Sequence, residues 1–339
     1  MSRPEDAGDA TRWLITGGCG FIGRNLILAL QRAEPLCRVR VLDDLSVGTE
    51  RGLAAVTPYA TVAAEECARE TSSVQLVVGS VTDLDSARAC ARGVDVVVHL
   101  AAHTGVVPSV EDPFEDARVN VTGTLNLLEG ARQARARAFV FASSGAPLGT
   151  QIPPLHEEMA PRPASPYGAS KLAGEGYCSA FFHSYGLPAV VLRFSNVYGP
   201  LSSMKESVVA RFIRRAIARE PLVIYGDGSQ TRDYIFVEDL VQCIVSAARS
   251  SAGGQVLQVA TGVETPLNEL VGTMRTLLEP RIGAMVVEHA PARAGEVARS
   301  CADISKVRRL VGWSPRWSLA DGLAQTVSWF LEQSDVKPA

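Results

Sequence analysis

The chain has 339 residues, 47% of them hydrophobic, with a formal net charge of −3. That length allows two domains or one large α/β unit with an elaborated end, and the weakly acidic balance gives no electrostatic case for nucleic acid or an anionic membrane. No apolar run reaches the roughly 18 residues of a membrane-spanning helix, and residues 1–10 are too polar for a signal peptide.

Trp13 to Thr16 predicts a short buried strand, followed by Gly17-Gly-Cys-Gly20-Phe-Ile-Gly23 and a helix from Arg24 to about Ala33. Glycines at three-residue steps let the backbone turn sharply, approach a pyrophosphate and pack helix on strand. The helix N-terminus then offers N–H groups and the positive end of its dipole to the phosphates. A second strand, Val39 to Leu42, ends in Asp43, 20 residues after Gly23. A carboxylate there accepts hydrogen bonds from the adenosine ribose hydroxyls and repels a 2′-phosphate, which favours NAD over NADP.

Further along, strands are predicted at Gln75 to Val78, Val94 to Leu100, Ala138 to Ala142 and Ala189 to Phe194. Helices are predicted from Asp83 to Ala91, Pro113 to Gln133 and Tyr167 to Tyr185, with a proline-rich loop from Ile152 to Pro166. Continuous apolar strands alternating with helices imply parallel strands covered on both faces, a Rossmann-type doubly wound α/β fold. Ligands bind outside the carboxyl ends of such strands, and Ser144, His103 and Asn196 each fall just past a predicted strand end. Beyond residue 196 the pattern is less regular. We expect an NAD-binding domain over 11–196, to which 236–261 (helix Val237 to Ala248, strand Val256 to Ala260) returns. A smaller substrate-binding lobe is expected over 197–235 and 262–335.

Ser144 is followed 23 residues later by Tyr167-Gly-Ala-Ser-Lys171. A four-residue step puts Tyr167 and Lys171 on one helical face. An ammonium there stabilises a phenolate and draws the phenol below its usual value of about 10, giving a base for a sugar hydroxyl near neutral pH. Seven scattered cysteines without a Cys-x-x-Cys predict reduced thiols in a cytoplasmic setting. His99, His103, His156, His183 and His289 show no metal-ligand spacing, so no metal is expected.

The Gly17–Gly23 segment, His99-Leu-Ala-Ala102, Asn120-Val-Thr-Gly-Thr124 and Ser165-Pro-Tyr-Gly-Ala-Ser-Lys171 occur in that order. Asn196-Val-Tyr-Gly-Pro200, Gly226-Asp-Gly-Ser-Gln-Thr-Arg-Asp233 and Arg293-Ala-Gly-Glu296 follow. Together they resemble the extended short-chain dehydrogenase/reductases of the NAD-dependent sugar-nucleotide epimerase/dehydratase family, nearest in pattern to its UDP-glucose 4-epimerases, over roughly residues 12–330. The resemblance implies inversion at C4 of a nucleotide-linked hexose through a 4-keto intermediate, with tightly held NAD. It makes Tyr167 the base and acid at the 4-hydroxyl, Lys171 the ligand of the nicotinamide ribose, and Ser144 a hydrogen-bond partner of that hydroxyl. It assigns the cofactor to Gly17, Gly20, Phe21, Ile22, Gly23, Asp43, Asp44, Ser80, Val81, Leu100, Ala101, Ala102, His103, Asn120 and Phe194, besides Tyr167 and Lys171. It assigns the substrate to His103, Ser143, Ser144, Asn196, Val208, Arg232, Arg293, Glu296 and Ser300. Asn196, Arg232 and Arg293 match positions that contact the nucleotide diphosphate, and Glu296 matches the acid at the uridine ribose. A homodimer is implied, paired through the helices around 113–133 and 167–185.

Several departures from the family pattern bear on the substrate or the cofactor. Gly145 and Ala146 stand where the 4,6-dehydratases carry an acidic pair, and neither can do acid–base work; Pro147 and Leu148 stand where the family shows Val-Tyr. Ser80 replaces an Asp that touches adenine in many relatives. Ser300 falls where epimerases restricted to glucose and galactose carry a bulky Tyr, which leaves room for a 2-acetamido group. Leu201-Ser-Ser203, with Lys205 beyond, lacks the Arg often found in UDP-glucuronate 4-epimerases, one alternative reading; another NAD-dependent nucleotide-sugar oxidoreductase is the second.

Overall fold

The computed structural model describes residues 10–69, 71–292 and 297–335. The chain divides into two compact units: Met1–Ala142, Ala173–Val191 and Ser251–Gln255 form one, and Ser143–Leu172, Leu192–Ser250 and Val256–Ala339 form the other.

The strands in chain order are β1 (Arg12–Thr16), β2 (Arg38–Asp43), β3 (Ala60–Thr61), β4 (Val74–Val78), β5 (Val96–His99), β6 (Ala138–Ser144) and β7 (Ala189–Phe194). They continue with β8 (Asn196–Tyr198), β9 (Leu222–Tyr225), β10 (Thr231–Arg232), β11 (Tyr234–Phe236), β12 (Val256–Val259), β13 (Thr265–Pro266) and β14 (Val287–Ala290). Eight of them make one parallel sheet in the order β12-β7-β6-β5-β1-β2-β4-β3. β1 lies at its middle, with Thr16 opposite Leu42 on one side and His99 on the other. Successive strands are therefore laid down on opposite sides of β1, and the order reverses between β1 and β5. That reversal opens a crevice at the carboxyl ends of those two strands. Trp13, Leu14, Ile15, Val96, Val97 and Val98 are all fully buried, which is why these strands read as unbroken apolar runs.

In the first unit, α1 (Phe21–Ala33) buries Leu26, Ile27 and Leu30, one stripe at helical spacing. Three helices follow: α2 (Glu50–Ala54), α3 (Leu84–Ala91) and α4 (Val106–Glu111). The helix expected as one piece from Pro113 to Gln133 is interrupted. It runs as α5 (Pro113–Ala117), a π turn over Arg118–Thr122, and α6 (Gly123–Ala134). The wider turn lets the buried Asn120 side chain reach back to the loop after β5. Its Oδ1 accepts from His103 N at 2.8 Å, and its Nδ2 donates to His103 O and Asp116 Oδ1, both at 3.0 Å. Such bulges favour functional positions.

The helix α7 (Pro166–Tyr185) starts at Ser165, whose Oγ accepts from Gly168 N at 3.2 Å, with proline in the first turn. In the second unit come α8 (Val208–Ile217), α9 (Val237–Arg249), α10 (Leu267–Ile282), α11 (Ser305–Val311) and α12 (Leu319–Asp335). Phe212, Ile213, Leu222, Phe236, Leu270, Met274 and Leu323 form its apolar core. Asp239 on α9 is fully buried and accepts from Arg316 N at 2.9 Å and Trp317 N at 3.0 Å, tying the chain before α12 to α9. No described helix is long and apolar enough to cross a membrane.

Candidate active site

The loop from Gly17 to Gly23 is built around what its glycines leave out. Gly17 has φ +68°, and a Cβ there would stand 2.9 Å from Ala101 N. A Cβ on Gly23 would stand 2.5 Å from Gly18 Cα, so α1 meets the loop backbone to backbone. Gly20, the residue before Phe21 and Ile22, supplies no side-chain cap, and the first turn of α1 carries no acid. The helix terminus is thus left for an external anion. Asp43 ends β2; its carboxylate accepts from Cys19 N at 2.8 Å and Leu45 N at 2.9 Å. Burial pushes this carboxyl up, and those two N–H groups pull it back. Burial, aided by Asp43, pushes the Cys19 thiol up to about 12, which keeps it neutral. Asp44 is exposed and accepts from Ser46 N at 3.0 Å. Ser80 bonds Thr82 Oγ1 at 2.9 Å, and Val81 O accepts from Asn126 Nδ2 at 3.1 Å. A dinucleotide fits this cradle.

The loop from Leu100 to His103 is fixed by a polar chain that the sequence reading did not identify. Thr124 Oγ1 donates to Asn120 O at 2.6 Å, so its hydrogen is spent. His99 Nε2, 3.0 Å away, must then donate to Thr124 Oγ1, and His99 Nδ1 accepts from Thr16 Oγ1 at 2.8 Å. Thr16 Oγ1 in turn accepts from Ala101 N at 3.2 Å. The network assigns His99 one neutral tautomer and holds Ala101 and Ala102 against the glycine loop. Asp116 was also missed. It is 1% exposed, its Oδ1 lies 3.8 Å from His103 Nδ1, and its Oδ2 is buried without a partner. The motifs around His99 and Thr124 flagged the neighbourhood, whereas nothing in the sequence flagged Asp116.

In the second unit, Ser144 ends β6 and its Oγ accepts from Ala146 N at 3.0 Å. The turn after it packs on the first turn of α7, where a Cβ on Gly168 would stand 2.7 Å from Ala146 O. Tyr167 is partly exposed; Lys171 is 3% exposed, with its Nζ 5.9 Å from the Tyr167 ring centre. The expected pair therefore shares a helix face beside the Ser144 turn. Ser143, Pro147 and Leu148 are buried, so Pro147 and Leu148 pack inside the turn that carries Ser144.

Asn196 opens β8 and donates from N and Nδ2 to Asp233 O at 3.0 and 3.2 Å. Arg232 Nη1 donates to Thr231 O and Val297 O, both at 2.7 Å. Asp233 binds elsewhere: its carboxylate accepts from Thr261 N and Oγ1 and from Gly262 N. Val208 begins α8 against the second core, Phe194 ends β7, and Ser300 is half-buried. Arg293 and Glu296 lie outside the described residues.

A reversed parallel sheet, a glycine-lined helix terminus and a Tyr–Lys helix together define a dinucleotide-dependent enzyme. Residues 13–260 match the NAD dependent epimerase/dehydratase family, and the chain belongs to this family of NAD-dependent nucleotide-sugar enzymes. It is 38% identical to the UDP-glucose 4-epimerase of Mycolicibacterium smegmatis over 329 residues, 95% of this chain and 99% of that protein. A dTDP-glucose 4,6-dehydratase of Streptomyces niveus is 31% identical over 94% of this chain and 92% of its own. Among solved structures, the UDP-glucose 4-epimerase of Thermus thermophilus in complex with NAD has a TM-score of 0.82 at 33% identity, covering 95% of this chain and 99% of that one.

Proposed function

We propose that the protein inverts C4 of a UDP-linked hexose, interconverting UDP-glucose and UDP-galactose and accepting their N-acetylated counterparts. The observation that carries this is the Lys171–Tyr167 pair against a Ser144 turn that offers only Gly145 and Ala146 where a dehydratase needs acids. Bound NAD supplies a hydride acceptor at C4 that later returns the hydride. Tyr167 takes the proton from the 4-hydroxyl and gives it back. Lys171 favours the phenolate by its charge and holds the nicotinamide ribose. Ser144 Oγ, already accepting from Ala146 N, keeps its own hydrogen for the sugar oxygen. Asn196, Arg232 and Arg293 face the diphosphate in this reading, where a planar guanidinium suits paired oxygens; Glu296 meets the ribose. Ser300 leaves space at C2.

Incubation with UDP-, dTDP-, GDP- and CDP-sugars, with products resolved chromatographically, tests the reading. UDP-glucose should equilibrate with UDP-galactose without net NADH. A 4-keto-6-deoxy product, or stoichiometric use of added NADH, would sink it. Tyr167→Phe should cut turnover by about 10²–10⁴-fold while the protein still copurifies with NAD.

The same reading includes a homodimer through α5–α6 and α7. Phe114 is 87% exposed, and Tyr177 and Tyr185 also present apolar surface. Light scattering at micromolar concentration should give twice the chain mass of 36.1 kDa; a monomer would refute it.

A further inference from the structure

Arg40 in β2 is buried, and one planar guanidinium there holds two separate backbones. Its Nη2 donates to Cys67 O at 2.7 Å, and its Nη1 donates to Cys90 O and, at 3.0 Å, to Arg92 O. Cys67 lies in the connection between β3 and β4, and Cys90 lies near the end of α3. The shared guanidinium brings these two residues side by side. Both thiols are 0% exposed. Cys67 Sγ donates to Ala89 O at 3.4 Å, which places it against the residue just before Cys90.

We propose that Cys67 and Cys90 are an oxidisable dithiol, a modification site that takes a peroxide as oxidant and closes a disulfide between the β3–β4 connection and α3. The Cys67 thiolate attacks one peroxide oxygen, the O–O bond breaks, and the departing hydroxide takes up a proton to become water. Cys67 is then a sulfenic acid. The Cys90 thiol displaces its hydroxyl, forming the S–S bond and releasing a second water. Two sulfurs lose one electron each, and the peroxide is reduced to two waters.

The electrostatics assign the two roles. The neighbouring Cys90, with help from Arg40 and Arg92, holds the Cys67 thiol below the usual range against its burial. Cys67 and burial push Cys90 up. Arg40 Nε is buried without a partner, so the guanidinium charge there is not met by a carboxylate at that atom. A thiol titrating near ambient pH attacks best, and its protonated neighbour resolves. A cleft lined by Glu65, Asp83, Asp85, Ser86, Arg88, Ala89, Arg92 and Gln133 reaches Ala89, the residue before Cys90; the oxidant must pass from there to the buried sulfurs. α3 leaves the cofactor end of β4 and runs back, so Cys90 sits away from Ser80 and Val81. The bridge would span β4 without covering the cofactor loop.

The test is a thiol count on the intact, NAD-loaded protein after a brief hydrogen peroxide dose and denaturation, with peptide mapping by mass. Free thiols should fall from seven to five, one disulfide should map to Cys67–Cys90, and dithiothreitol should restore all seven. Bound NAD should be unchanged, and the oxidised protein should melt about 3 °C higher. Cys67→Ser should keep its six thiols at the same dose, whereas Cys90→Ser should fall from six to five, with Cys67 stopping at a sulfenic acid. Seven thiols surviving in the unsubstituted protein, a bond mapped to another pair, or a Cys67 sulfinic acid with Cys90 still free would each overturn the proposal. Mapping on the unsubstituted protein decides even if the serine variants fold poorly.

Discussion

At Gly23 one added methyl would stand 2.5 Å from Gly18 Cα, with backbone on both sides and nothing flexible to give way. Gly23→Ala should therefore push α1 off the glycine loop and strip NAD, measured as loss of the nucleotide released on denaturation, with about 1–3 kcal/mol of stability lost to overpacking. Thr124 is a subtler case. Its hydroxyl receives His99 and donates to Asn120 O, so Thr124→Val removes both bonds from a buried network, at about 1–3 kcal/mol in all. A smaller loss, read by chemical denaturation, would show that the polar chain is not coupled as drawn. The glycines were legible because their spacing is local. The Thr16–His99–Thr124 chain was not: its members lie 83 and 25 residues apart, and only the pairing of β1 with β5 brings them together.

Among the elements, α6 and α7 show how a helix pair is joined by a few side chains. Glu129 and Arg132 make a forked pair at 2.7 Å, and the Arg132 guanidinium lies 5.1 Å from the Tyr185 ring centre. The Arg132 fork draws the Glu129 carboxyl from 4.5 down to about 2. A depressed carboxyl stabilises the fold above its unfolded value, so this contribution is complete above pH 4.5 and is lost as pH falls toward 2. Both groups are partly exposed, so Glu129→Gln should lower the melting temperature by only about 1 °C at pH 7. The gap to the unsubstituted protein should narrow by about pH 3; a constant gap would contradict the assignment. Asp239 is a stronger tie. Asp239→Ala removes the acceptor for Arg316 N and Trp317 N inside the core and should cost about 2–4 kcal/mol by denaturant titration. The long apolar strands and α7 were legible from periodicity. The elements of the second unit, α8 and α10 to α12, were not assigned, because their apolar faces meet partners distant in sequence.

For the whole molecule, a cofactor held by the native state alone stabilises it by mass action. Removing NAD should lower the melting temperature, and returning it at about 1,000 times its dissociation constant should restore about 4 kcal/mol. No change on stripping would argue against a tightly held dinucleotide. Family membership was readable before any coordinates, because Gly17–Gly23, Ser165–Lys171 and Asn196–Pro200 keep local spacings. The substrate roles proposed for Arg232 and Ser300 rest on resemblance, and the neighbours of Arg232 come from β13 and the segment after residue 296.

The π turn at Arg118–Thr122 makes chain length itself a determinant of the cofactor loop. Excising Val119 would let the helix close into ordinary α geometry with the later residues keeping their faces, because a π turn absorbs about one extra residue. Thr124 would stay on His99, while Asn120, drawn into the tighter turn, would lose its reach to His103. A protein shorter by that one residue should keep its core and lose this anchor of the loop after β5.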